Sequence, residues 1–148
     1  MINDNDLEKV MHFSRAFHHC LTGMDSAAAG DDLSGPEAHC LLYLAFHGKS
    51  TLVGLNQHYG TDLAFLSRLV KSLEGKGYIY KKPNPNDRRS VLLVLTETGQ
   101  CQIPVLKDRI RCYFRSVFGN LSESQTLELI GHIQAIYAML QNGGKDYE

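Results

Sequence analysis

Apolar residues fall at helical spacing through most of this chain, and between Tyr78 and Leu95 that pattern gives way to a different one. There Tyr78-Ile79-Tyr80-Lys81-Lys82 runs into Pro83-Asn84-Pro85-Asn86-Asp87, and Ser90 to Leu95 returns as an apolar, partly β-branched run. Two strand-like runs around a Pro/Asn turn predict a β-hairpin, and the prolines discourage its tip from pairing with a neighbour. The sequence is therefore read as mainly α with one small β-hairpin.

The helices announce themselves by caps. Asn5-Asp6-Leu7-Glu8 reads as the start of a first helix, with Asn5 capping, Leu7, Val10, Met11, Phe17 and Leu21 at helical spacing, and an end near Gly23. Ser26 to Asp32 reads as a loop. Ser34-Gly35-Pro36-Glu37 is a capping box with proline in the first turn, opening a second helix that Gly48 stops. Ser50 or Thr51 caps a third, short helix closed by Gly60. Thr61 or Asp62 caps a fourth, whose apolar face is Leu66, Leu69, Val70 and Leu73. Beyond the hairpin, Ile103, Leu106, Ile110, Tyr113, Phe114 and Val117 mark a long helix that tolerates Pro104 in its first turns. Ser122-Glu123-Ser124-Gln125 caps a last helix running to Asn142-Gly143-Gly144.

A length of 148 residues, with 43% hydrophobic and 21% charged content, is that of one ordinary globular domain. No apolar run approaches the roughly 20 residues that span a bilayer, and the first residues are acidic where a secretory signal is basic, so the cytoplasm is the expected location and no membrane partner is expected. Cys20, Cys40, Cys101 and Cys112 form no CxxC pair and sit in apolar stretches, which predicts reduced, mostly buried thiols. The net charge is −1, yet Thr61 to Ser90 holds seven cations (Arg68, Lys71, Lys76, Lys81, Lys82, Arg88, Arg89) against Asp62, Glu74 and Asp87, a surplus of four. Charge of this kind in one segment is the footprint of a nucleic-acid surface.

Two short helices joined at a glycine and followed at once by a basic hairpin make a winged helix-turn-helix, in which one helix enters the major groove and the hairpin reaches the neighbouring backbone or minor groove. Turned at 3.6 residues per turn, the fourth helix presents Ala64, Arg68 and Lys71 opposite its apolar face, with Phe65 and Ser67 on the flanks and Thr61 at its start. Arg68 suits guanine or phosphate, Lys71 phosphate, and Ser67 either. Leu63-Ala64-Phe65 opens the helix with no side chain that hydrogen-bonds a base edge, which shifts expected readout toward Arg68, the wing and DNA shape. At the hairpin tip, Arg88 is expected on phosphate and Arg89 in a narrow minor groove, with Asp87 two residues from Arg89 as its orienting partner.

The run Leu66-Ser-Arg-Leu-Val-Lys-Ser-Leu-Glu-Gly-Lys-Gly-Tyr-Ile, followed by Asp87-Arg-Arg-Ser-Val-Leu-Leu-Val-Leu-Thr-Glu-Thr-Gly99, resembles the MarR family of bacterial regulators. The Asp-x-Arg wing ending in Leu-Thr-x-x-Gly is its specific part. The resemblance implies a single domain over 1–148, with a winged lobe at approximately 34–98 and dimerisation helices at approximately 5–23 and 99–142. It also implies a homodimer on a pseudo-palindromic double-stranded operator, usually a repressor, released by a small aromatic or lipophilic effector. Relatives commonly carry polar residues where this chain has Leu63-Ala64-Phe65.

Other readings compete with this one. His12, His18, His19, His39, His47, His58 and His132 raise a metal sensor, but adjacent helical residues point about 100° apart, so His18 and His19 do not share an ion easily and no metal is expected. A redox sensor at Cys20 or Cys40 needs an exposed thiol of lowered pKa. Neither a glycine-rich phosphate loop, a nucleophile elbow nor HExxH is present, so neither an enzyme nor a cofactor is expected. A winged-helix protein-interaction module that has lost DNA binding is the rival from another class. Phe13, Phe17, Tyr43 and Phe46 are candidate effector-pocket linings that serve equally well as core.

Overall fold

The computed structural model describes residues 3–30 and 32–143. Among the described residues, six helices and one hairpin follow in the order α1 (Asp4–Ala28), α2 (Gly35–His47), α3 (Leu52–Tyr59), α4 (Leu63–Gly75), β1 (Ile79–Pro83), β2 (Val91–Leu95), α5 (Glu97–Phe118) and α6 (Glu123–Gly143). Asp31 of the expected loop and Gly144 lie outside the described residues. The chain divides into two compact units, one up to Tyr113 and one from Phe114 onward.

Caps explain most of the boundaries. The Thr51 hydroxyl accepts the Gly54 N–H at 3.0 Å, and the Asp62 carboxylate accepts the Ala64 and Phe65 N–H groups at 3.1 and 3.3 Å. Of the paired cap candidates, Thr51 and Asp62 act and Ser50 and Thr61 do not. Ser50 instead exchanges backbone hydrogen bonds with Leu93 and so stitches the α2–α3 connection to the hairpin. Gly60 closes α3 with φ of +57°, where glycine alone is unstrained.

Two expectations about α1 are corrected. Its cap is Asn3, whose side chain accepts the Asp6 N–H at 2.9 Å, and not Asn5. The helix also runs past Gly23 to Ala28. Gly23 is no stop signal: a methyl group there would overlap the Tyr113 ring, whose hydroxyl donates to the Cys20 carbonyl at 3.0 Å. The residue permits close packing of α1 on α5, and Ser26-Ala27-Ala28 continue the helix because alanine loses almost nothing by being helical.

In the first unit the core is one cluster built from α2, α3, α4, the hairpin and the start of α5, with Leu41, Leu44, Leu55, Leu66, Leu73, Ile79, Leu93 and Leu106 fully buried. Among the thiols, Cys40 is buried and burial pushes it up to about 12, which makes it an unreactive core residue. Cys101 and Cys112 are exposed, contrary to expectation. Each lies two residues from an inward-facing residue of α5, the buried Ile103 and the half-buried Ile110, and two residues turn a helix about 200°, to its outer side.

Candidate nucleic-acid interface

The interface rests on how α4 is seated. Leu66, Leu69, Val70 and Leu73 are buried, so the opposite face turns outward and Thr61, Ala64, Phe65, Ser67, Arg68 and Lys71 are all exposed. The seat is fixed at its far end by Glu37 of α2. This carboxylate closes the α2 capping box, accepting the Ser34 N–H at 2.7 Å, and also accepts the Ser72 hydroxyl at 2.6 Å and the Lys76 ammonium at 2.9 Å on each oxygen. Burial raises its pKa, but Lys76, Ser72 and Ser34 outweigh that and hold it at about 2. Lys76 completes its donor set on the Asp32 carbonyl at 2.6 Å, while the Tyr78 hydroxyl donates to the Asp32 carboxylate at 2.7 Å.

The hairpin leaves α4 through Gly77, at φ of +76°, and pairs antiparallel from Ile79↔Leu95 to Pro83↔Val91. Its tip is a closed network: the Asn84 amide donates to the Ser90 hydroxyl at 2.8 Å, and the Asn84 side chain accepts the Asn86 N–H at 3.1 Å. Asp87 and Arg89 sit in this turn and not on an extended strand. The Asp87 carboxylate accepts the backbone N–H of Arg89 at 3.0 Å, and no Asp87–Arg89 ion pair forms among the described residues. Asp87 thus orients the turn, where a grip on the guanidinium was expected. An Asx-type turn satisfies its carboxylate locally, before any long side chain has to be ordered.

The root of the wing explains the Leu-Thr-x-x-Gly run. The Thr96 hydroxyl donates to the Gly77 carbonyl at 2.6 Å and accepts the Gly99 N–H at 3.0 Å, while the Thr96 N–H donates to the Tyr78 carbonyl at 3.0 Å. A methyl group at Gly99 would overlap that same Tyr78 carbonyl. One threonine therefore caps α5 and locks both hairpin ends, and glycine is the residue that lets the helix approach.

Not every cation in the basic segment is free. Lys76 is committed to Glu37, and Lys81 pairs with Glu74 at 2.7 Å. Arg68, Lys71, Lys82, Arg88 and Arg89 make no ion pair among the described residues. The sequence reading missed both pairs, because the bond from Lys76 to Glu37 crosses 39 positions and only the capping box was legible at Glu37.

A second feature borders the same helix. A cavity of about 210 Å³ is lined by Asp25, Pro36, His39, Tyr59, Thr61, Phe65, Leu66 and Leu69, with a His39–Asp25 pair at 3.3 Å on its wall. Phe13, Phe17, Tyr43 and Phe46 do not border it. Phe13 and Phe17 stack on one another, Tyr43 packs against both the His47 and His58 rings, and Phe46 carries the Lys107 ammonium over its ring. The described residues gather no cluster of three or more His, Cys, Asp and Glu able to hold a metal, and none of their helices is long and apolar enough to cross a membrane.

A helix-turn-helix with a two-stranded basic wing locked onto its second helix defines the winged helix-turn-helix class of domain. Residues 33–91 match the MarR family profile. The multiple antibiotic resistance protein MarR of Salmonella typhimurium is 37% identical over 68 residues, 46% of this chain and 47% of that protein. The chain spans 40 to 47% of the length of three curated relatives that it matches. Among solved structures, a MarR variant from E. coli complexed with operator DNA aligns with a TM-score of 0.72 at 22% identity, over 86% of this chain and 95% of that one. BpsR of Bordetella bronchiseptica, a structure concerned with regulation of DNA binding by 6-hydroxynicotinic acid, aligns with a TM-score of 0.71 at 20% identity, over 87% and 98%. At these identities the structural likeness speaks for the six-helix winged fold.

Proposed function

We propose that this chain is a sequence-specific DNA-binding transcriptional regulator, a homodimeric repressor that a small-molecule effector releases from its operator. The observation that carries this reading is the coincidence of Arg68 and Lys71 on the outward face of α4 with Arg88 and Arg89 at the tip of the wing fastened to it, all four without an ion pair among the described residues. In this reading α4 lies in the major groove, with Arg68 on a base edge or phosphate, Lys71 on phosphate, and Thr61, Ala64, Phe65 and Ser67 against the groove wall. Arg89 enters the minor groove, Arg88 holds phosphate, and Asp87 fixes the turn that carries both. The family match over residues 33–91 and the operator complex of the E. coli protein of the same fold support it.

Dimerisation draws support from apolar surface left uncovered in both units. Leu7, Val10, Met11 and Phe17 of α1 and Leu127, Ile130, Ile133, Tyr137 and Leu140 of α6 are each at least 40% exposed. Faces of that extent are covered by a partner in soluble proteins. Two copies would then present two α4 helices to successive major grooves about 34 Å apart.

Release by an effector requires a ligand that binds the DNA-competent and DNA-incompetent states unequally. The cavity beside α4 supports this, since Thr61 and Phe65 belong to both its wall and the proposed reading surface. At about 210 Å³ it exceeds the roughly 150 Å³ that holds a benzene ring, which suits a compact aromatic effector. The 6-hydroxynicotinic acid that regulates DNA binding by BpsR is of that chemical class.

Selection of bound sequences from a random DNA pool tests the reading. A pseudo-palindrome with half-sites about one helical turn apart is the expected result, and Arg68→Ala should weaken the selected site by roughly 1–3 kcal/mol. Absence of binding even at low salt overturns it. That outcome would favour a protein-docking module, whose contact surface would be the exposed Leu63 and Phe65.

A further inference from the structure

We infer that Glu37 is a positioning residue for base readout, acting through Ser72 and Lys76 to fix the rotation of α4 about its own axis. This inference rests on the DNA-binding reading above. The apolar seat of α4 is made of leucine and valine, whose dispersion contacts hold the helix against the core but have no preferred direction individually. The Glu37 contacts do have direction. Ser72 in the last turn of α4 and Lys76, the residue that caps the helix, are four residues apart on nearly the same side, so bonds from one carboxylate to both fix where that side points. Glu37 is itself only 6% exposed and is held from behind by Ser34, so it offers a fixed anchor rather than a flexible tether.

The geometry connects this anchor to the reading face. Ser72 lies one turn beyond Arg68, about 40° around the helix, so rolling one rolls the other. Side-chain tips stand about 6 Å from a helix axis, and a roll of about 10° therefore moves them by about 1 Å. Hydrogen bonds to base edges weaken over a few tenths of an ångström, while a long cation follows a phosphate through such a shift. Loss of the anchor should thus cost discrimination between sequences and spare general affinity.

The test compares Glu37→Gln, Lys76→Met and the double variant Glu37→Gln/Lys76→Met with the wild-type chain. Each is titrated against the duplex selected by the wild type and against a random-sequence duplex at one salt concentration. Glu37→Gln is expected to weaken the selected duplex at least tenfold and the random one by less than twofold. Amide exchange without DNA is expected to quicken at Ser72 to Gly75 and to stay unchanged at Leu41 and Leu44. The double variant leaves neither partner as an unpaired buried charge, so its melting temperature should recover toward wild type while discrimination stays lost. Equal loss on both duplexes, or discrimination that recovers with stability in the double variant, overturns the inference. If the wild-type chain binds neither duplex, the DNA-binding reading falls and this inference with it; an unchanged ratio in a binding wild-type background defeats the inference alone.

Discussion

The Lys81 ammonium lies 2.7 Å from the Glu74 carboxylate, and this pair joins the first strand of the wing to the last turn of α4. Both groups are more than a third exposed, so the pair contributes little to stability, on the order of 1 kcal/mol or less. Its larger effect is on charge. Glu74→Gln should free Lys81 and remove an anion beside the proposed DNA surface, raising affinity for duplex DNA several-fold. The plot of log affinity against log salt should steepen by about one phosphate contact. Titrations at three salt concentrations decide it; an unchanged slope means that Lys81 faces away from the backbone.

The Asp87 carboxylate acts through a backbone N–H, which an asparagine oxygen also accepts. Asp87→Asn should therefore keep DNA affinity within about threefold, whereas Asp87→Ala opens the turn at a cost of about 0.5–1.5 kcal/mol and loosens the wing. Fluorescence anisotropy with a labelled duplex separates the two variants. Equal damage from both would mean that the negative charge itself is required.

Acid should loosen the attachment of α4. Glu37 titrates near 2 in the folded chain against an ordinary 4.5, so its stabilisation is fully present above pH 4.5 and drains away as pH falls toward 2. The shift corresponds to about 3 kcal/mol. Urea titrations between pH 6 and 3 should show a weaker loss of stability in Glu37→Gln than in wild type.

The exposed stripe of α6 should govern assembly. Ile133 is 48% exposed, and Ile133→Glu places a charge in the middle of the face proposed to be covered. Sedimentation at micromolar concentration should give a dimer for the wild type and a monomer for the variant, with DNA affinity falling as the second lobe is lost. A wild-type monomer would remove the dimer from the proposal.

Local chemistry carried most of the fold into the sequence. The capping box at Ser34 and Glu37, the caps at Thr51 and Asp62, and the glycine at 60 all act between residues a few positions apart, so they were readable in order along the chain. Gly23 misled because its reason is Tyr113, ninety positions downstream, and a glycine needed for close approach looks the same as one that ends a helix. The site divided in the same way. Arg68 and Lys71 were legible from helical periodicity alone, whereas the commitment of Lys76 and Lys81 to carboxylates on other elements depends on tertiary packing. Asp87 stood out in the sequence as an orienting group, but the strand geometry assumed for it ignored the tendency of Asn-Asp turns to satisfy their own backbone.

The close approach at Gly99 leaves the wing without a hinge at its root. Thr96 and Tyr78 bind both hairpin ends to the first turn of α5, so the two strands have to follow wherever that helix goes. The paired strands run five residues, about 17 Å at 3.3–3.4 Å per residue, and a tilt of about 10° at the base would carry the tip some 3 Å. The long helix is in this sense a handle for the arginines: a molecule that leans on α5 steers Arg88 and Arg89 from a distance and never has to touch them.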